Sequence, residues 1–495
     1  MSTGEMGPNA MSLPVPAKSA AKHPSHGKAV GLAIAAAVGG FLFGFDSSVI
    51  NGAVDAIQGE FELSSALTGF AVAVALLGCA AGAWFGGKFA DRYGRTRIML
   101  VGAILFFISG IGSAFAFGVG DFIAWRVIGG LGIGIASVIA PAYIAEIAPA
   151  AMRGRLASLQ QLAITLGIFA ALLSDALFAT TAGGASEASL FGLAAWQWMF
   201  LVSIIPATVY GVLALRIPES PRFLVGVGRR DEALAILTEV LGPDEDPRAR
   251  VEQIEATVEA DKALTQHASL RGPALGLLPI VWVGITLSVF QQFVGINVIF
   301  YYSTTLWQTV GFTEERSFAA SVITAVTNVL VTLIAIALVD RIGRRPILLT
   351  GSAGMAISLG IMALAFTQST GSGEDIALAS PWGPVALIAA NLFVVFFGAS
   401  WGPVVWVLLG EMFPNRIRAA ALGVAAAAQW MANFAITISF PPLLDTFGPA
   451  VPYLMYAIFA ALSFFFVLVK IPETKGVELE DMANITVNRT RRARG

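Results

Sequence analysis

Charge is what this sequence has least of. Only 13% of its 495 residues are Asp, Glu, Lys or Arg, whereas 56% are hydrophobic and the mean hydropathy is +0.77. A soluble domain carries about a quarter charged residues, and so sparse a set cannot cover the surface of a water-soluble globule. Cysteine is nearly absent too: Cys79 stands alone, which excludes an intrachain disulfide. Histidine occurs only at 23, 26 and 267, all in polar segments, so no metal site is expected. Nor is there a Gly-rich phosphate loop or a nucleophile–base constellation, so no catalytic residue, cofactor or enzyme activity is expected. A net charge of −2 and a pI of about 6.0 supply no basic excess for nucleic acid.

What the sequence has is long apolar runs. A bilayer crossing takes about 20 apolar residues in a helix, so about ten to thirteen crossings fit if half the chain lies in them. The first run, about Ala29–Ile50, is too long for the core of a signal peptide and follows a polar tail, 1–28, with no apolar stretch of its own. Further runs fall near 67–87, 98–119, 122–145, 157–179, 198–215, 276–302, 317–339, 346–366, 384–409, 419–440 and 451–470, making twelve. The fold class is therefore an all-α polytopic membrane protein. Gly78, Gly82 and Gly86, like Gly130 and Gly134, recur at the small-residue spacing that lets helices approach closely in lipid.

Of the 30 Lys and Arg, only Arg126 is well inside a run and only Arg316 falls on an odd-numbered connection; the others lie in the tails and the even-numbered connections, or, for Lys470, at the very end of the last run. By the positive-inside rule both termini are cytoplasmic. The outer connections are short and carry Asp55, Glu60, Glu62, Glu187, Glu374 and Asp375; those of the first connection, Asp55, Glu60 and Glu62, read as solvated carboxylates, with titration in the transport cycle as the alternative.

Between the sixth and seventh runs lies a charged stretch, 217–275, with amphipathic helical patterns at Asp231–Leu241 and Pro247–Leu264. It separates two six-helix halves, 29–216 and 276–471, with a second tail at 472–495. The halves repeat their charged connections. Asp91, Arg92, Gly94 and Arg95 recur as Asp340, Arg341, Gly343 and Arg344, followed by Arg345. Glu146 to Arg153 recurs as Glu411 to Arg418, and Pro218-Glu219-Ser-Pro-Arg222 as Pro472-Glu473-Thr-Lys-Gly476. Two parallel halves related by an axis along the membrane normal are an architecture of alternating-access transporters with a site between the halves.

Two charges stand apart from this map. Asp46 lies in or near the end of the first run and Arg126 opens the fourth. An intramembrane charge is costly unless paired, so the two are expected to meet, either as a proton-coupling pair or as a static ion pair. Uncharged amides also interrupt the apolar runs: Gln160, Gln161, Gln291, Gln292, Asn297, Asn328, Gln429 and Asn433 should face the bundle interior, as ligands or as interhelical glue.

From about residue 30 to 480 the sequence resembles the sugar porter family of the major facilitator superfamily. The likeness rests on the paired Asp-Arg-x-Gly-Arg motifs, PESPR at 218–222, QQFVGIN at 291–297, WGPVVWVLLGE at 401–411 and PETKG at 472–476. The resemblance implies a proton-coupled importer of a monosaccharide, D-glucose first, working by alternating access. Its alternatives are a facilitative hexose uniporter, a proton/xylose symporter and, from another class, a membrane sugar sensor. It implies a cell-membrane location and no partner beyond sugar, proton and lipid. In relatives Asp46 would carry the proton, with Arg126 beside it. Gln161, Gln291, Gln292, Asn297, Asn328, Trp406 and Trp430 would hold the sugar, whose hydroxyls need groups that both donate and accept. Phe43, Tyr301 and Gln429 would lie nearby, and Trp401 would pack. Ile168 and Phe300 stand where xylose symporters tend to carry Gln and Leu, which points to glucose. The charges Asp91, Arg92, Arg95, Glu146, Arg153, Glu219, Arg222, Asp340, Arg341, Arg344, Arg345, Glu411, Arg418 and Glu473 would form the cytoplasmic gate, or be ordinary surface pairs of little individual weight.

Overall fold

The structure, a computed structural model, describes residues 27–149, 152–241, 245–265, 270–370, 377–413 and 417–473. The side chains of 153–155, 157, 260–265, 337–341, 370, 377, 410–411 and 418–419 are outside that description. So are nearly all of the two expected tails, and Glu374 and Asp375.

Among the described residues, 12 helical segments are long and apolar enough to cross a membrane. Span one is α1 (Gly27–Ser48) and α2 (Ile50–Glu60), interrupted at Val49. Spans two to five are α3 (Ser65–Tyr93), α4 (Arg95–Ala114), α5 (Val119–Ile147) and α6 (Arg153–Ala182). Span six is split into α7 (Ala195–Val202) and α8 (Ile204–Arg216). Then come three helices outside the spans, α9 (Pro221–Gly226), α10 (Arg230–Val240) and α11 (Pro247–Thr265), which share a small apolar core of Leu237, Leu241, Val251 and Ile254. Span seven is α12 (Pro279–Phe293) and α13 (Ile296–Thr309); eight and nine are α14 (Glu314–Ile342) and α15 (Arg344–Phe366). Span ten is α16 (Trp382–Gly398) and α17 (Trp401–Met412), and eleven and twelve are α18 (Arg418–Phe447) and α19 (Ala450–Lys470).

The outside of the bundle is apolar: Trp84, Ile104, Leu215, Ile357, Phe465 and Val469 are all exposed, as lipid-facing side chains would be. Inside, the small residues set the spacing. A methyl group on Gly78 would lie 2.4 Å from the Val127 carbonyl oxygen, and one on Gly130 would lie 2.0 Å from that of Ala75. Spans two and four thus touch backbone to backbone, where lipid gives no hydrophobic force to join them.

The repeated charged motifs have a local structural cause. Gly94 ends α3 at φ 101° and Gly343 ends α14 at φ 105°, a region open to glycine, and each turns the chain straight into the next helix. The new helix then needs acceptors for its first amides. Glu219 accepts from the Arg95 and Thr96 amides at 2.9 and 3.3 Å and from Thr96 Oγ1 at 2.9 Å. Glu473 accepts from the Arg344 and Arg345 amides at 3.0 and 3.1 Å. The same carboxylate cap is built twice, once in each half.

Candidate functional site

Asp46 sits near the end of α1 and Arg126 in the second turn of α5, and both are buried. Arg126 donates through Nη1 to Asp46 Oδ2 at 3.3 Å and through Nη2 to the Asp46 carbonyl at 3.4 Å. Its Nε has no partner, and its guanidinium lies 5.8 Å from the centre of the Phe200 ring. The pair is therefore held by long, incomplete contacts, unlike the tight forks that guanidinium and carboxylate form when locked together.

Arg126 opens on a small cavity with room for about one water molecule. Phe43, Ser47, Ile50, Cys79 and Ile133 line it from the first half and Tyr301 from the second. Tyr301 also faces Asn433. Phe43 meets Trp430 across the same seam, ring centres 5.8 Å apart.

Span seven brings its amides together by breaking. Gly295, at φ 82°, separates α12 from α13 against the ring of Tyr456. Across the break Asn297 donates to Gln292 Oε1 at 2.6 Å. Gln291 donates to the Trp401 carbonyl at 2.9 Å and keeps its buried Oε1 unpartnered. Gln429 also has a buried carbonyl oxygen without a partner. Asn328 is buried beside Gly398, Gln161 and Ile168 are half-buried on α6, and Trp406 is exposed. Phe300 packs into the apolar core rather than lining the cavity beside Arg126. Trp401 is buried, donating to Leu348 and Ser352, a packing role.

At the linker end, Arg95, Asp91, Glu146 and Arg222 meet within the first half. Arg95 forks onto Glu146 at 3.0 Å through both Nε and Nη2 and meets Asp91 at 2.9 Å. Glu146 also accepts from Ser220 and lies 3.9 Å from Arg222. Arg92 is exposed beside the Tyr93 ring, and Arg345 donates to the Leu468 carbonyl. Arg153, Asp340, Arg341, Glu411 and Arg418 lie outside the described side chains.

Among the described residues, hydrogen bonds join the halves at the opposite end. Asn51 donates to Ser303 at 3.0 Å and accepts from the Thr304 amide at 3.1 Å. Asp55 accepts from Thr305 at 2.8 Å and Gln308 at 3.0 Å. Glu314 accepts from the Ala185 amide at 2.8 Å, and Asp445 from Ser65 at 3.0 Å. Asp55 is thus not the solvated loop carboxylate that the sequence pattern indicates: α2 prolongs span one to Glu60 and carries Asp55 against α13. Sequence reasoning also misses Asn51 and the buried Asp175 on α6. The only signal for either was a polar residue inside or bordering an apolar run.

Twelve spans in two sets of six, bonded to each other at one end, with a buried ion pair in the first half and a small cavity lined from both, define a two-half membrane carrier. The family model described as "Sugar (and other) transporter" matches residues 32–485, and the chain belongs to that family. It is 56% identical over 450 residues to a glucose transport protein of Synechocystis sp., spanning 90% of this chain and 95% of that one. It is 35% identical over 484 residues to a D-xylose-proton symporter of Escherichia coli, covering 91% and 94%. Among solved structures it is similar to a partially occluded inward-open form of the E. coli xylose transporter, with a TM-score of 0.76, 34% identity and coverage of 91% and 99%.

Proposed function

We propose that the chain is a proton-coupled importer of D-glucose in the cell membrane, working by alternating access between 29–216 and 276–471. The observation that carries this reading is the loosely held Asp46–Arg126 pair, whose Arg126 lines a small cavity that Tyr301 of the other half also lines. An opposite charge favours a carboxylate and separation favours the acid. Movement of Arg126 relative to Asp46 would therefore take up and release a proton as the halves rock. One proton moved through 100 mV is worth about 2.3 kcal/mol, about a fifty-fold accumulation of a neutral sugar. The name of the Synechocystis relative supports glucose, and that of the E. coli relative supports proton coupling.

In this reading the basic end, with the linker 217–275 and both tails, faces the cytoplasm. The bonded end is then extracellular, and the structure is an inward-facing form. Gln161, Gln291, Gln292, Asn297, Asn328 and Gln429 supply donors and acceptors to the sugar, and Phe43, Trp406 and Trp430 supply ring faces. The unpartnered oxygens of Gln291 and Gln429 fit that role. No cofactor beyond the proton and no obligate protein partner enters the scheme.

The test is uptake of labelled glucose into vesicles reconstituted with the full chain under an inward proton gradient, against a panel of competing sugars. Uphill uptake competed by unlabelled glucose is expected, and failure of every sugar to compete overturns the assignment. Asp46→Asn should exchange glucose across the membrane without accumulating it; retained uphill uptake in that variant would remove Asp46 from the coupling.

A further inference from the structure

Asp175 takes no part in the scheme above. It lies on α6, fully buried, about two turns before the extracellular end of span five. Its Oδ2 accepts from the Gly52 amide at 3.2 Å, while Oδ1 is buried without any hydrogen-bond partner. A buried acid group held by one backbone bond is an expensive feature in an apolar bundle, so what that bond holds matters.

Gly52 is in the first turn of α2, just beyond the interruption of span one at Val49. Val49 has no side chain that can cap α2, and Asp175 supplies a carboxyl acceptor to that turn from the neighbouring helix. The approach depends on glycine. A methyl group at 52 would lie 2.6 Å from the Asp175 Cβ and 2.8 Å from Oδ2. Elsewhere α2 is bonded to the other half, with Asn51 and Asp55 engaging Ser303, Thr304, Thr305 and Gln308 of α13. The short helix α2 is therefore held from two sides, by Asp175 of its own half and by α13 of the opposite half. When the extracellular end opens, one set of contacts has to give way.

We propose that Asp175 is a positioning residue that keeps α2 with its own half, so that outward opening breaks the Asn51 and Asp55 bonds to α13 instead of bending span one at Val49. It acts through Gly52 and touches neither sugar nor the Asp46–Arg126 pair. Without it α2 follows α13, and the outward-facing state becomes rarer. A ligand's apparent affinity falls by the fraction of competent protein, so sugar offered from outside should bind more weakly while sugar offered from inside should not.

The inference rests on the sugar-carrier reading, and wild-type glucose exchange in the same vesicles separates the two: its absence defeats that reading, whereas the variant pattern speaks to Asp175. The experiment measures KM for glucose from each face, in right-side-out and inside-out vesicles, for Asp175→Asn, Asp175→Leu and Gly52→Ala. Asp175→Asn retains an oxygen for the Gly52 amide and should stay within about twofold of wild type on both faces. Asp175→Leu and Gly52→Ala should raise the outside KM about tenfold and leave the inside KM within about twofold. The double variant should be no worse than Asp175→Leu alone. If Asp175→Leu does not fold, Asp175→Ala, which carries no acceptor for the Gly52 amide, is read in the same way. Equal losses on both faces overturn the proposal. So does an Asp175→Asn that still exchanges glucose but no longer accumulates it, since Asp175 would then be moving a proton.

Discussion

A single buried ion pair shows what a residue can be asked to do in this bundle. Asp46 and Arg126 are each almost inaccessible, yet their side-chain contact is 3.3 Å long and Arg126 Nε is unpartnered. Removing one partner from such a pair leaves an uncompensated buried charge, a loss of about 3–5 kcal/mol, whereas removing both costs far less. Arg126→Ala should therefore lower the thermal midpoint of the detergent-solubilised protein sharply, and Asp46→Asn in the same chain should recover most of it. Simple addition of the two single losses would show that the pair is not coupled. At the same scale, Glu219 is a helix cap more than a gate in this conformation. Glu219→Ala should cost about 1–2 kcal/mol of stability through the freed Arg95 and Thr96 amides, measured by the same melt. An unchanged midpoint would mean that water serves those amides equally well.

At the scale of elements, the apolar runs located every span, because a membrane crossing is written in twenty or so consecutive residues and needs no distant partner. Where the spans break was harder to read. Val49, between α1 and α2, is a helix-compatible apolar residue, so the first run stops in sequence near Ile50 while the helix continues to Glu60. That difference is why Asp55 reads as a loop carboxylate and proves to be a bonded one. Asp175 escaped notice because one carboxyl in the 23-residue run 157–179 hardly alters its mean hydropathy, and its partner is a backbone amide that no motif marks. The repeated Asp-Arg-x-Gly-Arg motif was legible as a repeat, but its cause, a glycine turn capped by Glu219 or Glu473 more than a hundred residues away, needed the fold. The break in span seven makes a prediction of the same kind. Gly295→Ala places a side chain at φ 82° and 2.5 Å from the Tyr456 ring, so about 1–2 kcal/mol of backbone strain is added to a steric clash. Stability and glucose exchange should fall together, and a variant that keeps both would show that the Asn297–Gln292 contact does not depend on this turn.

For the whole molecule, the scarce charges divide the labour between the two ends. Among the described residues, the basic end shows ion pairs and caps within a half, while the acidic end carries carboxylates and amides bonded across the seam. Each such bond contributes only about 1 kcal/mol net, so the closed acidic end is held by a few weak bonds and can be tipped by removing one residue. Asn51 is the best choice, since it both donates to Ser303 and accepts from Thr304. Asn51→Ala should shift the population towards the state open at that end by about tenfold. Spin labels placed at the exposed positions Phe117 and Phe447 of that end, one in each half, would report it as a longer distance in the purified protein. Buried Cys79 would stay unlabelled. An unchanged distance distribution in Asn51→Ala would mean that the seam is closed by packing of the apolar faces, with the polar bonds only following it.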